Sequence, residues 1–174
     1  GGLLFWLAGA LVLIALLTVG AIALLGGDDV SVSSPIEAGR GPLRLAVGEN
    51  RVWATSAADG TLVRIDPRTR EVTGRLRLGR GVSGVAVGAG FVWVTRPPTG
   101  ELLRVDPDLP AGPDRRAVTR IELGGRPGAI VFAGGRVWVA DEAGSGVSAV
   151  NPPAGRVYER NLFPHTAPLR LAAG

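Results

Sequence analysis

"FVWVT", residues Phe91 to Thr95, is an apolar run of strand type with a tryptophan at its centre. Two near copies occur in the same chain, "RVWAT" from Arg51 to Thr55 and "RVWVA" from Arg136 to Ala140. Their tryptophans, Trp53, Trp93 and Trp138, are spaced by 40 and 45 residues. A second landmark keeps the same step: Asp66 in "VRIDP", Asp106 in "LRVDP" and Asn151 in "SAVNP". A third precedes each tryptophan, as "PLRLAVG" (Pro42 to Gly48), "VSGVAVG" (Val82 to Gly88) and "PGAIVFA" (Pro127 to Ala133). "PLRLAAG" (Pro168 to Gly174) starts a fourth copy. Landmarks that travel together at one spacing mark a repeated supersecondary unit.

Each unit holds four short strand candidates. In the first they are Leu43–Val47, Arg51–Thr55, Leu62–Asp66 and Glu71–Leu78. In the second they are Val85–Val87, Phe91–Thr95, Leu102–Asp106 and Val118–Leu123. Their apolar residues are mostly β-branched or small, and glycine separates them. Pro67, Pro107 and Pro152 each follow the landmark Asp or Asn, as in a type I turn. The second unit is longer by five residues, and the excess falls at Asp108 to Arg116. No segment after residue 30 has a helical period. Four short strands every ~40–45 residues predict an all-β fold of propeller type, with three blades and the start of a fourth.

A different segment opens the chain. Leu3 to Leu25 carries no charge, and its 23 residues reach roughly 34 Å as a helix. That length crosses the ~30 Å hydrocarbon layer and exceeds a signal-peptide core. Phe5 and Trp6 suit a membrane interface. The acidic flank at Asp28 and Asp29 places the C-terminal part of the chain outside the cytoplasm. The expected organisation is a transmembrane helix within residues 1–27, an extracytoplasmic stalk over 28–41 and a partial propeller over 42–174. Its repeats cover about 36–76, 77–121, 122–161 and 162–174. The chain opens on Gly-Gly and stops inside a repeat, so it reads as a fragment.

Composition excludes several chemistries. Without cysteine there is no disulfide, thiolate metal site or cysteine nucleophile; one histidine rules out a multi-histidine site. All 19 basic residues are arginine, against 15 acidic ones, and the net charge is only +4. The signs are interspersed, with no basic stripe of the kind that binds nucleic acid. No cofactor is implied. Asp141-Glu142 offers adjacent carboxylates, but no calcium-loop spacing accompanies them.

The stretch from Gly41 to Gly79 and its copies resemble the YVTN/YncE-like repeat, related to streptogramin lyase-like propellers. The shared pattern is P-x-G-V-A-V-G-x-G-x-V-W-V-T followed by R-I-D-P-x-T, from Ile36 onward. A single span, a short stalk and such repeats are also similar to the ectodomain end of membrane-anchored regulators, including Ser/Thr kinases. The resemblance implies that the first strand of each unit lines a central axis. The loop entering that strand and the loop leaving the second strand then share one face. Candidate ligand contacts on that face are Arg40, Ser56, Arg80, Arg96, Arg126, Asp141 and His165, which differ between copies. Streptogramin lyases act through histidines and magnesium. With no matching histidine set here, no catalytic residue is carried over. The resemblance points to a ligand- or protein-binding sensor or scaffold, with a lyase-like enzyme as the alternative. The repeated Trp53, Trp93, Trp138, Asp66, Asp106 and Asn151 are read as scaffold.

Overall fold

A computed structural model describes residues 34–108, 118–144 and 146–162. The apolar run Leu3–Leu25, most of the long tip after Asp108, and His165 lie outside the described residues. The chain divides into two compact units, Gly1–Pro35 and Ile36–Gly174. All twelve strands belong to the second.

These strands form three four-stranded sheets. The first holds β1 (Pro42–Gly48), β2 (Arg51–Ser56), β3 (Thr61–Ile65) and β4 (Val72–Arg77). The second holds β5 (Val85–Gly88), β6 (Phe91–Arg96), β7 (Glu101–Val105) and β8 (Val118–Glu122). The third holds β9 (Pro127–Ala133), β10 (Arg136–Asp141), β11 (Gly146–Asn151) and β12 (Arg156–Leu162). Every sheet is an antiparallel meander in sequence order. Strand bounds read from the sequence of the first two units differ from these by at most one residue at either end.

Register repeats with the sequence. Ala46, Trp53 and Arg64 form one cross-strand row, as do Ala86, Trp93 and Arg104. In the third sheet the row is Val131, Trp138 and Ala149. The first strands neighbour one another, β1 beside β5 and β5 beside β9, so they are innermost. Three such sheets packed face to face are blades of a β-propeller.

The seams between blades are the core. Trp53 is buried with Val85, Val92, Val94, Leu103 and Val105 of the second blade. Trp93 is fully buried with Val137, Val139 and Val150 of the third. A ring system is large enough to fill the space between sheets that lie ~10 Å apart. Each indole also closes its own blade: Nε1 donates to Gly48 O at 3.3 Å, Gly88 O at 3.0 Å and Ala133 O at 3.1 Å. The tryptophan therefore satisfies its polar atom locally and leaves its apolar faces for the neighbouring blade.

The Asp-Pro turn of the first blade and the Asn-Pro turn of the third close one residue later than a type I turn does. Arg70 N–H donates to Asp66 O at 2.8 Å, and Arg70 is left-handed at φ +63°. Gly155 takes the same place in the third blade, donating to Asn151 O at φ +60°. The Asp66 carboxylate accepts from the N–H groups of Arg68 and Thr69 at 2.7 and 3.3 Å, and Asp106 accepts from Asp108 N–H at 2.9 Å. Among the described residues no helix is long and apolar enough to cross a membrane.

Candidate functional site

The residues entering each first strand meet those leaving each second strand, and they do so in all three blades. In the first, Ser56 Oγ donates to Arg40 O at 2.6 Å. In the second, Arg96 Nε donates to Arg80 O at 3.4 Å. In the third, Arg126 N–H donates to Asp141 Oδ1 at 2.8 Å. The candidates therefore pair within each blade. The differing residue at the end of β2, β6 and β10 holds the loop that carries an arginine.

Those arginines point outward. The Arg40 side chain is 85% exposed and that of Arg126 62% exposed. Arg80 is exposed, and its guanidinium meets no partner among the described residues. Arg126 stands one residue nearer its strand than the other two do, because "GGR" replaces "GRG". Carboxylates flank the ring of arginines. Asp59 Oδ1 accepts from Arg40 Nε at 2.9 Å, and Glu142 Oε2 lies 3.6 Å from Arg126 Nε. Arg96 is more enclosed, pairing with Glu101 at 2.9 Å, while Arg120 approaches the same carboxylate at 3.8 Å.

Two candidates are bound into the scaffold. Ser56 is fully buried, and its hydroxyl is also 3.3 Å from Asp59 Oδ2. Asp141 Oδ1 accepts a second bond, from Ala143 N–H at 3.0 Å. The backbone N–H of Arg40, then its guanidinium, holds the Asp59 carboxyl below its ordinary value of 3.8. A small cavity of about 90 Å³ opens beside Asp141, between Leu123, Pro127, Val139 and Ser148. No group of three or more His, Asp or Glu able to hold a metal occurs among the described residues.

The other end of β2 opens on a larger groove of about 760 Å³, bounded by Glu49, Arg51, Arg64, Asp66 and Asp108. Its arginines hold blades together. Arg51 Nη1 pairs with Asp108 at 3.1 Å, and Arg64 Nη1 donates to Pro107 O at 3.2 Å. Arg104 repeats the second contact one blade on, reaching Pro152 O at 3.0 Å. Its guanidinium carbon lies 4.6 Å from the centre of the Phe91 ring.

Sequence reasoning missed these ties and one more. Thr55 Oγ1 donates to Ser83 O at 2.6 Å, and Thr95 Oγ1 to Gly128 O at 2.8 Å, each across a seam. The available signal was a polar residue recurring at a fixed place in an apolar strand: threonine two after tryptophan, arginine two before Asp.

No family model and no curated protein matches the chain. Solved structures do. Virginiamycin B lyase from Staphylococcus aureus is 16% identical with a TM-score of 0.63, over 80% of this chain and 47% of that one. Hydrazine synthase of Kuenenia stuttgartiensis is 15% identical with a TM-score of 0.65, over 82% of this chain and 42% of that one. The chain thus spans less than half the length of the structures it matches. The likeness is one of fold.

Proposed function

We propose that the chain is part of a membrane-anchored propeller, displayed outside the cytoplasm, that senses or scaffolds through the face bearing Arg40, Arg80 and Arg126. One observation carries the reading. Each blade presents an exposed arginine at the entry to its inner strand, on a backbone pinned by the end of the second strand. A pinned backbone lowers the entropy lost when a guanidinium engages a partner. Guanidinium forks suit carboxylate or phosphate groups, so the partner class is an acidic ligand or an acidic protein surface. The anchor is Leu3–Leu25.

Titration calorimetry with poly-glutamate as the probe tests the face. Binding is expected at low salt, weakened by salt and lost in R40E/R80E/R126E. Absence of binding by the unaltered chain at low salt overturns the reading. Protease shaving of intact cells, with membrane fractionation, tests the display.

A second reading draws on the fold shared with virginiamycin B lyase: a lyase-like enzyme with its catalytic groups outside the described residues. Turnover of virginiamycin B by the protein expressed from its complete reading frame decides for it.

A further inference from the structure

The two seams between blades differ at one spot. At the seam of the first and second blades, Leu103 is buried with Leu78, Val82 and Val94. At the next seam the corresponding residues are Leu123, Pro127 and Val139, but the place of Leu103 is taken by Ser148. Register confirms the match: Leu103 stands opposite Val94, and Ser148 opposite Val139. Two residues nearer the arginine-bearing end, Glu101 stands opposite Arg96, whereas Gly146 stands opposite Asp141. On one face of β11, serine and glycine thus replace a leucine and a glutamate.

The sheets do not close over the lost volume. A cavity of about 90 Å³ lies there, lined by Leu123, Pro127, Val139, Asp141, Gly146 and Ser148. A cavity of about 150 Å³ holds benzene, so this one has room for roughly three or four heavy atoms.

Its lining combines two chemistries. Leu123, Pro127 and Val139 are apolar, and Asp141 and Ser148 are polar. Ser148 is half-buried, and its hydroxyl meets no partner among the described residues. A hydroxyl in that setting takes its partner from whatever fills the cavity. The Asp141 carboxylate is fixed in place, since its Oδ1 accepts from Arg126 N–H at 2.8 Å and Ala143 N–H at 3.0 Å. Asp141 and Glu142 bring two negative charges to this corner, where Arg126 brings one positive charge. That balance favours a cation over an anion. With no third carboxylate or histidine in the group among the described residues, a small organic cation fits better than a metal ion.

We propose that the cavity between the second and third blades binds a primary ammonium group on a short alkyl stem. The ammonium has three N–H donors, for which Asp141 and Ser148 are the acceptors. Leu123, Pro127 and Val139 cover the methylenes, which gain by leaving water. The corresponding place in the second blade is filled by Leu103 and Glu101, so the site belongs to one seam only among the described residues. It is independent of the acidic partner assigned to Arg40, Arg80 and Arg126.

Ligand-observed NMR titration of the full chain with n-propylammonium chloride tests the site. Saturable binding is expected, with a dissociation constant on the order of 1 mM for so small a ligand. Propionate, of the same size and opposite charge, is expected not to bind. Ser148→Leu restores the side chain that the second blade carries, and is expected to weaken propylammonium binding at least about tenfold while raising the thermal midpoint. Ser148→Val, which is smaller, makes the same test if leucine does not fit. Asp141→Asn removes the charge and is expected to weaken binding about tenfold as well. No saturation by about 100 mM propylammonium overturns the proposal and leaves water as the occupant. So does equal binding of propionate, or unchanged binding by a folded Ser148→Leu or Ser148→Val protein. Poly-glutamate binding is expected to be the same in the Ser148 variants and the unaltered chain, which keeps this site separate from the arginine face.

Discussion

The hydroxyl of Thr95 stands between two blades: it donates to Gly128 O and accepts from Gly84 N–H, both at 2.8 Å. Thr95 is fully buried, so neither backbone group has water as a substitute. Thr95→Val keeps the shape and removes both bonds. It is expected to lower unfolding free energy by about 2–4 kcal/mol, since each orphaned buried group costs about 1–3 kcal/mol. Thr95→Ser keeps the hydroxyl and loses much less. Chemical denaturation of the three proteins measures the difference, and equal loss in both variants would remove the hydroxyl from the account.

Trp93 is fully buried at the same seam. Trp93→Ala is expected to cost about 3–5 kcal/mol and Trp138→Ala less, because Trp138 is half-buried. Trp93→Phe retains a ring but leaves Gly88 O without its indole donor, so an intermediate loss is expected. Urea midpoints at constant slope check the order.

Gly88 ends an inner strand against the ring of Phe132, leaving no room for a Cβ. Gly88→Ala is expected to destabilise by about 1–3 kcal/mol through overpacking. Phe132→Leu removes the obstructing ring. In a double-mutant cycle the pair is expected to lose less than the sum of the single changes. Simple additivity would separate the two positions.

Acid acts through two half-buried carboxylates. Arg40 N–H lowers the Asp59 value, and the Arg68 and Thr69 N–H groups lower that of Asp66. Unfolding returns both to about 3.8. Their contribution is thus present above that pH and is lost as pH falls below it, through the folded values. Thermal midpoints are expected to drop less below about pH 4 in D59N/D66N than in the unaltered protein. An identical acid limb in both would count against these turns as its source.

The fold was legible because tryptophan, Asp-Pro and the glycine-bounded strands kept one spacing. That periodicity records packing every blade must share. The turn bond closing at Arg70 was not legible, since a left-handed arginine leaves no mark in composition. That Arg40, Arg80 and Arg126 all stand exposed before an inner strand was legible, although Arg126 is one residue out of step with the other two. Their pinning was not, because Ser56, Arg96 and Asp141 reach the loop with three unlike groups. The cross-seam bonds of Thr55, Thr95, Arg64 and Arg104 were hidden for another reason. They depend on the distance between sheets, which no single strand encodes.

The third blade keeps the tryptophan and drops the fasteners. Where the first two blades have Thr55 and Thr95 it has Ala140, and in place of Arg64 and Arg104 it has Ala149. On that side the third blade offers shape without these polar latches. Methyl groups slide where hydroxyls and guanidiniums lock, so a force that pries the blades apart would start its tear there, at the third blade's far side.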